Sequence, residues 1–233
     1  MSSTTRIFLV RHGATVLSAE DRFAGSTDVA LSGDGRRQAA RLAERLAAET
    51  IAAVYASPMQ RARETAAILA ASHRLEVQTR EALREIDHGR WEQMTRAEVE
   101  ARYPDEYAAW EADPFTFAPQ GGESGISVMA RALPALREIV VAHRGEKVLL
   151  VSHKATLRLL IASLLGFDAR GYRDRLDQSP CCLNILDFRD TVRARLALFN
   201  DVSHYAGQPE TPTARLSKWW DAGEGADDAN RVR

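Results

Sequence analysis

The chain has 233 residues, 45% of them hydrophobic and 27% charged, a composition typical of a globular protein with one full domain and too short for two large ones. Its 31 basic and 32 acidic residues leave a formal net charge of −1, so no overall electrostatic field favours nucleic acid or an anionic membrane as a partner. Any site for an anion must therefore be local.

The N-terminal segment predicts a strand and no membrane anchor. Residues 1–6 are largely polar, and Ile7–Val10 is too short an apolar run for a secretory signal or a membrane span. The run instead predicts a buried strand that ends at Arg11-His12-Gly13. We therefore expect a cytoplasmic protein in which this triplet lies at the carboxyl end of a strand.

A helix, a strand and a second helix follow. Apolar residues at helical spacing predict the first helix over about residues 33–48. Residues 53–57 predict a short strand. Ser57-Pro58 then predicts a helix start, with the serine as the capping residue and the proline in the first turn. This second helix carries Arg61 near its beginning.

From residue 85 to residue 120 the chain becomes aromatic, which predicts an inserted cap of two short helical stretches. Tyr103, Tyr107 and Trp110 have helical spacing. They therefore favour packing within the cap, or against a second copy of the chain, over stacking on a substrate.

The second half predicts another helix from residues 121–124, a strand over Lys147–Ser152 and a helical run after His153. Two closing strands follow at about residues 182–188 and 194–199. Together the elements predict an α/β fold: a three-layer sandwich with a mostly parallel sheet of about six strands, flanked by helices.

The predicted domain covers residues 1–206, with a short helical cap inserted at about residues 92–120. Residues 207–233 predict a polar tail, in which Trp219 and Trp220 indicate that part of it docks. These tryptophans and the aromatic cap are compatible with a homodimer.

The two cysteines, Cys181 and Cys182, are neighbours in an apolar run. Adjacent strand residues point to opposite faces, so this pair is poorly placed to form a disulfide. Neither a disulfide framework nor a thiolate metal site is expected.

Histidines follow two of the predicted strands. His12 comes after the first strand and His153 after the strand at 147–152. Ligands bind at strand carboxyl ends in open α/β sheets, and a helix start with Arg61 favours a bound anion. We therefore expect one anion site containing both histidines.

Four motifs occur in one order: residues 11–13, 57–65, 84–92 and 151–153. With them the sequence resembles the histidine phosphatase superfamily, with its phosphoglycerate-mutase-like fold, over about residues 6–205. The resemblance implies that His12 is the phosphate-accepting nucleophile and Glu85 the proton donor. It also implies that the phosphate pocket is completed by Arg11, Arg61 and His153. Asp87, close to Glu85, is the less favoured acid.

The resemblance further implies a substrate pocket lined by the segment after the triplet, with Ser18, Arg22 and Gly25 as substrate-binding residues. Lys154 departs from the pattern, because the family usually has glycine after this histidine. An inward Lys154 would add affinity for a second anionic group, whereas an outward one is an ordinary surface lysine. The sequence leaves both orientations open.

Phosphoryl transfer is catalysed mainly by positioning the group and neutralising its oxygens. Two arginine forks and a second imidazole supply that charge, so we expect no metal and no other cofactor. A zinc site from His12, His88 and His153 with Asp87 is disfavoured, because arginines at the same place oppose a dication.

The leading hypothesis is a metal-independent phosphomonoesterase for a small phosphorylated metabolite, acting through a phosphohistidine. The alternatives are a cofactor-dependent phosphoglycerate mutase and a non-catalytic phosphate-binding module. Residues 86–92 resemble the phosphatase branch rather than the mutases. The only basic residues between positions 92 and 120, Arg96 and Arg102, are expected to be solvated cap positions rather than a clamp on an intermediate.

Overall fold

The computed structural model describes residues 4–19 and 22–206, with the side chains of residues 18 and 19 left out. The predicted tail at 207–233, including Trp219 and Trp220, lies outside the described residues. Within the described part of the chain, no helix is long and apolar enough to cross a membrane.

Six strands form one sheet in the order β3-β2-β4-β1-β5-β6. The four strands β1 to β4 pair in parallel, whereas β5 and β6 pair antiparallel. The strands are β1 (Thr5–Arg11), β2 (Ala53–Ala56), β3 (Val77–Thr79), β4 (Lys147–Ser152), β5 (Leu183–Phe188) and β6 (Ala194–Asp201). The prediction of a mostly parallel sheet is confirmed. The sequence pattern did not locate β3, which is three residues long and largely exposed.

The helices lie between the strands and in the cap. They are α1 (Val16–Ala19), α2 (Gly33–Leu46), α3 (Gln60–Ala71), α4 (Arg96–Arg102), α5 (Pro104–Ala112), α6 (Gly125–Ala142), α7 (Lys154–Leu165) and α8 (Tyr172–Arg175). Short 3₁₀ turns occur at Glu81–Leu83, Gly89–Trp91 and Ala169–Gly171. The predicted helices at 33–48 and after His153 are present, and Gly166 closes α7 in the left-handed conformation that glycine favours.

Helices cover both faces of the sheet, which gives the predicted three layers. Side chains alternate along β1: Ile7 and Leu9 face α6 and α7, whereas Phe8 and Val10 face α2 and α3. Because both faces are buried, the strand is a continuous apolar run rather than an alternating one. The carboxyl ends of β1, β2 and β4 are left at one edge, where the predicted site residues lie.

The cap has its own small core, made of Phe23, Trp91, Val99, Tyr107 and Trp110. The ring of Phe23 lies 5.4 Å from that of Trp91 and 5.5 Å from that of Trp110, measured between centroids. Tyr107 and Trp110 are buried, so they pack within the cap and are not available to a second copy of the chain.

The predicted helix start at Ser57-Pro58 is wrong, because α3 begins at Gln60. The N–H of Ser57 donates to the Val151 carbonyl, so Ser57 continues the sheet hydrogen bonds beyond β2. The helix is capped instead by Asp28, whose carboxylate accepts the N–H of Gln60 at 2.7 Å. The sequence pattern could not identify a cap that comes from a distant loop.

Both cysteines are free and buried just before β5. Cys181 lies in the apolar core between the sheet and α2 and α3. The thiol of Cys182 donates to the Gln178 side-chain oxygen at 3.1 Å.

Two glycines bring the loop after β1 against α2. A Cβ on Gly13 would lie 2.6 Å from the Gly35 carbonyl oxygen, and a Cβ on Gly35 would lie 2.1 Å from the Ala14 carbonyl oxygen. The Ser32 N–H and hydroxyl both donate to the same Ala14 oxygen, at 2.9 and 3.1 Å. This contact holds the segment that carries His12.

We expect Gly35→Ala to lower the free energy of unfolding by roughly 1–3 kcal/mol, because a methyl group cannot fit against the backbone of Ala14. Gly33→Ala is the matched control. Its Cβ would meet only the Arg37 guanidinium, at 3.5 Å, so the change should stay within about 0.5 kcal/mol. Urea unfolding of both variants measures the difference, and equal stabilities would contradict the close-contact argument.

Candidate active site

The two histidines lie side by side at the ends of neighbouring strands. In the parallel pairing of β1 with β4, Arg11 is level with Ser152, so His12 and His153 follow at the same height. The His12 N–H donates to the Ser152 carbonyl at 3.0 Å. The two rings are 5.1 Å apart between centroids. The structure thus places the two histidines side by side, as the strand pattern predicted, but only His12 lines the cavity.

His12 is held as a neutral ring with one free lone pair. Its Nδ1 lies 2.8 Å from the Gly13 carbonyl oxygen. A carbonyl can only accept, so Nδ1 carries the proton and Nε2 keeps its lone pair. Burial, together with the positive charges of Arg61 and Arg11, holds the pKa of His12 well below its ordinary value. The side chain nevertheless lines a cavity that opens at this edge of the sheet.

Arg11 is buried, lines the same cavity and is held by a polar network of Gln178 and Asn184, the latter on β5. One guanidinium nitrogen donates to the Gln178 carbonyl at 2.6 Å. The side chains of Gln178 and Asn184 bond each other at 2.9 and 2.8 Å, and Asn184 also donates to the Leu9 carbonyl. The Nε of Arg11 is buried and has no partner among the described residues. Arg11 therefore retains donor capacity for an anion at His12.

Arg61 lies in the first turn of α3 and is almost fully buried, with 2% of its surface exposed. Its guanidinium donates to three backbone carbonyls of one loop: Thr27 at 2.8 Å, Gly25 at 2.9 Å and Ala24 at 3.2 Å. Carbonyl oxygens satisfy donors without neutralising the charge, so the positive charge of Arg61 remains available to an anion.

Glu92 holds the other side of this loop. Its carboxylate accepts the N–H groups of Gly25, Ser26 and Thr27, the Thr27 hydroxyl and the His88 N–H, at 2.6–3.1 Å. Burial opposes the charge of Glu92, but the hydrogen bonds outweigh it and lower the pKa. The loop is thus clamped between a carboxylate and a guanidinium, and Glu92 positions Arg61 indirectly. Sequence reasoning assigned no role to Glu92.

His153 is completely buried behind His12 and is not among the residues that line the cavity. Its Nε2 lies 2.7 Å from the Ser57 hydroxyl, and its Nδ1 is buried without a partner among the described residues. Burial and the charge of Arg61 hold its pKa well below the ordinary value.

Glu85 reaches the same cavity from the segment before the cap. Its Oε1 accepts the N–H groups of Ile86 and Thr156, at 3.0 and 3.1 Å, and its Oε2 accepts the N–H of Ala155 at 3.0 Å. The carboxyl group therefore sits on the N-terminus of α7. Asp87 is elsewhere: it accepts from Ser26 and Gly89 and does not line the cavity.

Arg131 fixes the backbone that carries Glu85, although sequence reasoning gave it no role. From α6 it donates to the carbonyls of Ala82, Arg84 and Glu85 at 2.8–3.0 Å, and it pairs with Glu123 at 2.8 Å. An arginine among the apolar residues of a helix was the available signal.

Only some of the predicted substrate-binding residues line the cavity. Arg22 and Lys154 line the cavity, so Lys154 points inward and the open question of its orientation is answered. Gly25 does not line it, and contributes through its backbone bonds to Arg61 and Glu92. Ser18 belongs to α1, and its side chain lies outside the described part of the structure.

The cavity contains cations that sequence reasoning missed or misplaced. Arg96 was expected in solvent, but it lines the cavity, with its guanidinium 5.6 Å from the Trp110 ring centroid. It is the first residue of α4, and helical spacing does not reveal which end of a cap helix faces the sheet. Arg102 is exposed, as expected. Arg158 and Arg173 also line the cavity, and Arg158 stands among the apolar residues of α7.

Among residues 4–19 and 22–206, no three His, Cys, Asp or Glu side chains are grouped so as to hold a metal ion. His88, one member of the disfavoured zinc set, lines the cavity with its ring 4.8 Å from that of Phe23. Burial lowers its pKa.

The chain is similar to several named phosphatases. It is 36% identical to phosphoserine phosphatase 1 of Hydrogenobacter thermophilus over 163 residues, covering 70% of this chain and 77% of the relative. It is 37% identical to glucosyl-3-phosphoglycerate phosphatase of Mycolicibacterium vanbaalenii over 168 residues, covering 69% of this chain and 74% of the relative.

Among solved structures, YhfR of Bacillus stearothermophilus superposes with a TM-score of 0.81 at 35% identity, over 86% of this chain and 98% of that one. The family model described as histidine phosphatase superfamily (branch 1) matches residues 7–202, which include the sheet from Ile7 onward, the cap and all the residues that line the cavity. The chain therefore belongs to the histidine phosphatase superfamily, in branch 1.

Proposed function

We propose that the chain is a metal-independent phosphomonoesterase that acts on a small phosphorylated metabolite through a phosphohistidine at His12. The observation that carries this is the arrangement of a neutral, buried imidazole between two arginines, with a carboxyl group on the same cavity. The relatives named phosphoserine phosphatase and glucosyl-3-phosphoglycerate phosphatase support the same reaction class.

In the first step the Nε2 lone pair of His12 attacks phosphorus, and the bond from phosphorus to the alcohol oxygen breaks. The oxygens of the phosphoryl group face the charges of Arg11 and Arg61, which stabilise them in the transition state. Glu85 gives its proton to the leaving oxygen. The products of this step are the free alcohol, phosphohistidine and a Glu85 carboxylate.

In the second step water attacks the phosphohistidine, and Glu85 takes its proton. The bond from phosphorus to nitrogen breaks, which returns the electron pair to His12 and releases inorganic phosphate. The Oε2 atom of Glu85 is the better proton carrier, because Oε1 accepts two backbone N–H groups and lies 3.1 Å from the Thr156 hydroxyl. Oε2 accepts one.

The arginines supply the positive charge that a metal supplies in other phosphoryl transferases. Arg61 keeps its charge because carbonyl dipoles, and not carboxylates, hold it. A phosphate dianion that enters this site therefore meets two guanidiniums whose geometry is already fixed, which lowers the cost of reorganisation during the reaction.

A phosphoglycerate mutase is the second candidate, and one observation favours it. A mutase needs cap cations that converge on the site, and Arg96 of the cap lines the cavity. A mutase must retain its phosphohistidine and rebind the intermediate. A hydrolase lets water reach the phosphohistidine first.

The proposed function predicts stoichiometric release of inorganic phosphate from the best substrate, with slow or no conversion of 3-phosphoglycerate to 2-phosphoglycerate. The assay uses enzyme dialysed against EDTA, and His12→Asn should be at least roughly 10³-fold slower. A mutase rate tenfold above the best phosphatase rate would reverse the assignment. Activity lost on dialysis and restored by magnesium or zinc would contradict metal independence.

The phosphohistidine predicts protein-bound, acid-labile phosphate when labelled substrate is mixed and quenched rapidly. Glu85→Gln keeps the shape of the side chain but cannot move a proton, so turnover should fall by roughly 10²- to 10⁴-fold. With a leaving group that needs no proton, labelled protein should accumulate in this variant. Failure to detect it in both the wild type and Glu85→Gln would count against covalent catalysis.

The low pKa of His12 predicts that the ring stays neutral as the pH falls through the ordinary histidine range, near 6.5. Histidine NMR of the unliganded enzyme, assigned with His12→Asn, should place the midpoint of His12 well below that of an exposed histidine. The titration is read only where the circular dichroism is unchanged. A midpoint at or above 6.5 would show that burial and the arginines do not hold the ring neutral.

A further inference from the structure

The cavity has far more positive than negative charge. Among the described residues that line it are seven arginine and lysine side chains and a single carboxyl group, that of Glu85. Arg11 and Arg61 face the phosphoryl group in the proposed mechanism. The remaining cations exceed what one phosphomonoester requires, so some of them serve another part of the ligand or are neutralised by the protein.

Arg173 is neutralised by the protein. Its guanidinium pairs with Glu111 at 3.2 Å and with Asp174 at 3.0 Å, and it also donates to the Trp110 carbonyl. It therefore joins α8 to the cap. Its neighbours compensate its charge without a ligand.

Lys154 and Arg158 are different. They stand four residues apart on α7, so both side chains lie on one face of the helix and line the cavity. Two like charges at this spacing repel each other. Arg158 is 7% exposed and its Nε is buried without a partner among the described residues. Within the part of the chain that the structure describes, it pairs with Asp177 at 3.3 Å, whose side chain is 46% exposed.

The pKa values agree with this geometry. Burial, followed by the charges of Arg158 and Arg11, lowers the pKa of Lys154 to about 7. Burial lowers the pKa of Arg158 to about 10, so its guanidinium stays charged at neutral pH. An anion placed between these two side chains would stabilise both charges.

The backbone at this end of α7 does not provide the anion site. The N–H groups of Ala155 and Thr156 are already donated to Glu85 and that of Leu157 to the His153 carbonyl, so we assign the anion site to side chains. A protonated Lys154, Arg158 and Asp177 sum to a single positive charge. That sum matches a carboxylate better than a second phosphate dianion, and the guanidinium fork suits its two oxygens.

We propose that Lys154 and Arg158 form a subsite for a carboxylate on the alcohol part of the substrate, so that the enzyme acts on phosphorylated organic acids. The inference rests on the proposed phosphatase function. The phosphoryl group lies at His12, and the carbon skeleton lies between the two charged ends, against the apolar lining that includes Phe23 and Trp110.

Two probes test the subsite, because 3-phosphoglycerate and glycerol 3-phosphate share a skeleton and differ in a carboxylate or a hydroxymethyl group. The wild type should have a kcat/KM for 3-phosphoglycerate roughly tenfold or more above that for glycerol 3-phosphate. Lys154→Met should lower this ratio by roughly tenfold, and Lys154→Arg should retain it. Arg102→Met removes an exposed cap cation and should leave the ratio unchanged.

Binding to the inactive His12→Asn variant provides a second measurement that does not depend on turnover. Calorimetry should show tighter binding of 3-phosphoglycerate than of glycerol 3-phosphate, and adding Lys154→Met should remove the difference. The subsite would be overturned if Lys154→Met left the ratio of the two probes unchanged, in kcat/KM or in affinity. An equal loss for both probes is such a result, because Lys154 would then act on the phosphoryl group that they share.

Two other outcomes are distinct. If the kcat/KM for 2,3-bisphosphoglycerate exceeds that for 3-phosphoglycerate, and Lys154→Met removes this difference, the subsite takes a phosphate and the carboxylate assignment is wrong. If neither probe nor p-nitrophenyl phosphate releases phosphate, the phosphatase function itself fails. Release from both probes at equal kcat/KM would overturn the subsite alone.

Discussion

The guanidinium of Arg61 must keep its positive charge while it is almost fully buried. A carboxylate partner would neutralise that charge, and an apolar environment would make it very costly. Instead, the guanidinium donates hydrogen bonds to three backbone carbonyls of one loop, at 2.8–3.2 Å. Two other residues hold the loop and the helix that surround this guanidinium. Glu92 is needed to hold the loop's N–H groups, and Asp28 of the same segment caps α3, the helix that carries Arg61.

The cap also supports the candidate active site through packing. Glu92 follows Trp91, which is fully buried in the cap core, and the Trp91 indole donates to Glu106 of α5 at 3.0 Å. Phe23 packs against Trp91 just before the loop that holds Arg61. The cap core and the candidate active site therefore share one segment, residues 23–28. A change in cap packing would therefore shift the carbonyls that hold Arg61.

The sequence was most informative where a reactive side chain directly follows a strand. The apolar runs before His12 and His153 are short and continuous, so both strands, and the meeting of the two histidines, followed from pattern alone. Roles such as that of Glu85 came from the resemblance, since nothing in its local pattern sets it apart from Asp87. The pattern did not identify Asp28, Glu92 or Arg131, because each acts on a segment more than 30 residues away or on the backbone of another element.

The misplacement of Arg96 has a related physical cause. Helical spacing specifies which residues share a face, but the direction of that face depends on how the cap docks, and this is decided by Phe23, Trp91 and Trp110. Arg158 offered a stronger signal, since a charge within an apolar helix must have a buried partner or face a cavity. Lys154 lies on the same face of α7 but at the start of the helix, where side chains are often exposed. The sequence therefore could not predict whether it points inward.

In the proposed mechanism, the positive charge of the cavity acts on both the nucleophile, His12, and the substrate. Arg61 and Arg11 lower the pKa of His12 in the empty site, which keeps the attacking lone pair available, and the same charges attract the phosphoryl dianion. Once the dianion is bound, it offsets those charges, so a proton on His12 would be less unfavourable than before. The proposed attack therefore depends on an Nε2 lone pair that is already aimed at the phosphorus when the anion binds. Fixed carbonyls around Arg61 and the fixed Nδ1 hydrogen bond of His12 meet that requirement, because neither partner has to move when the anion binds.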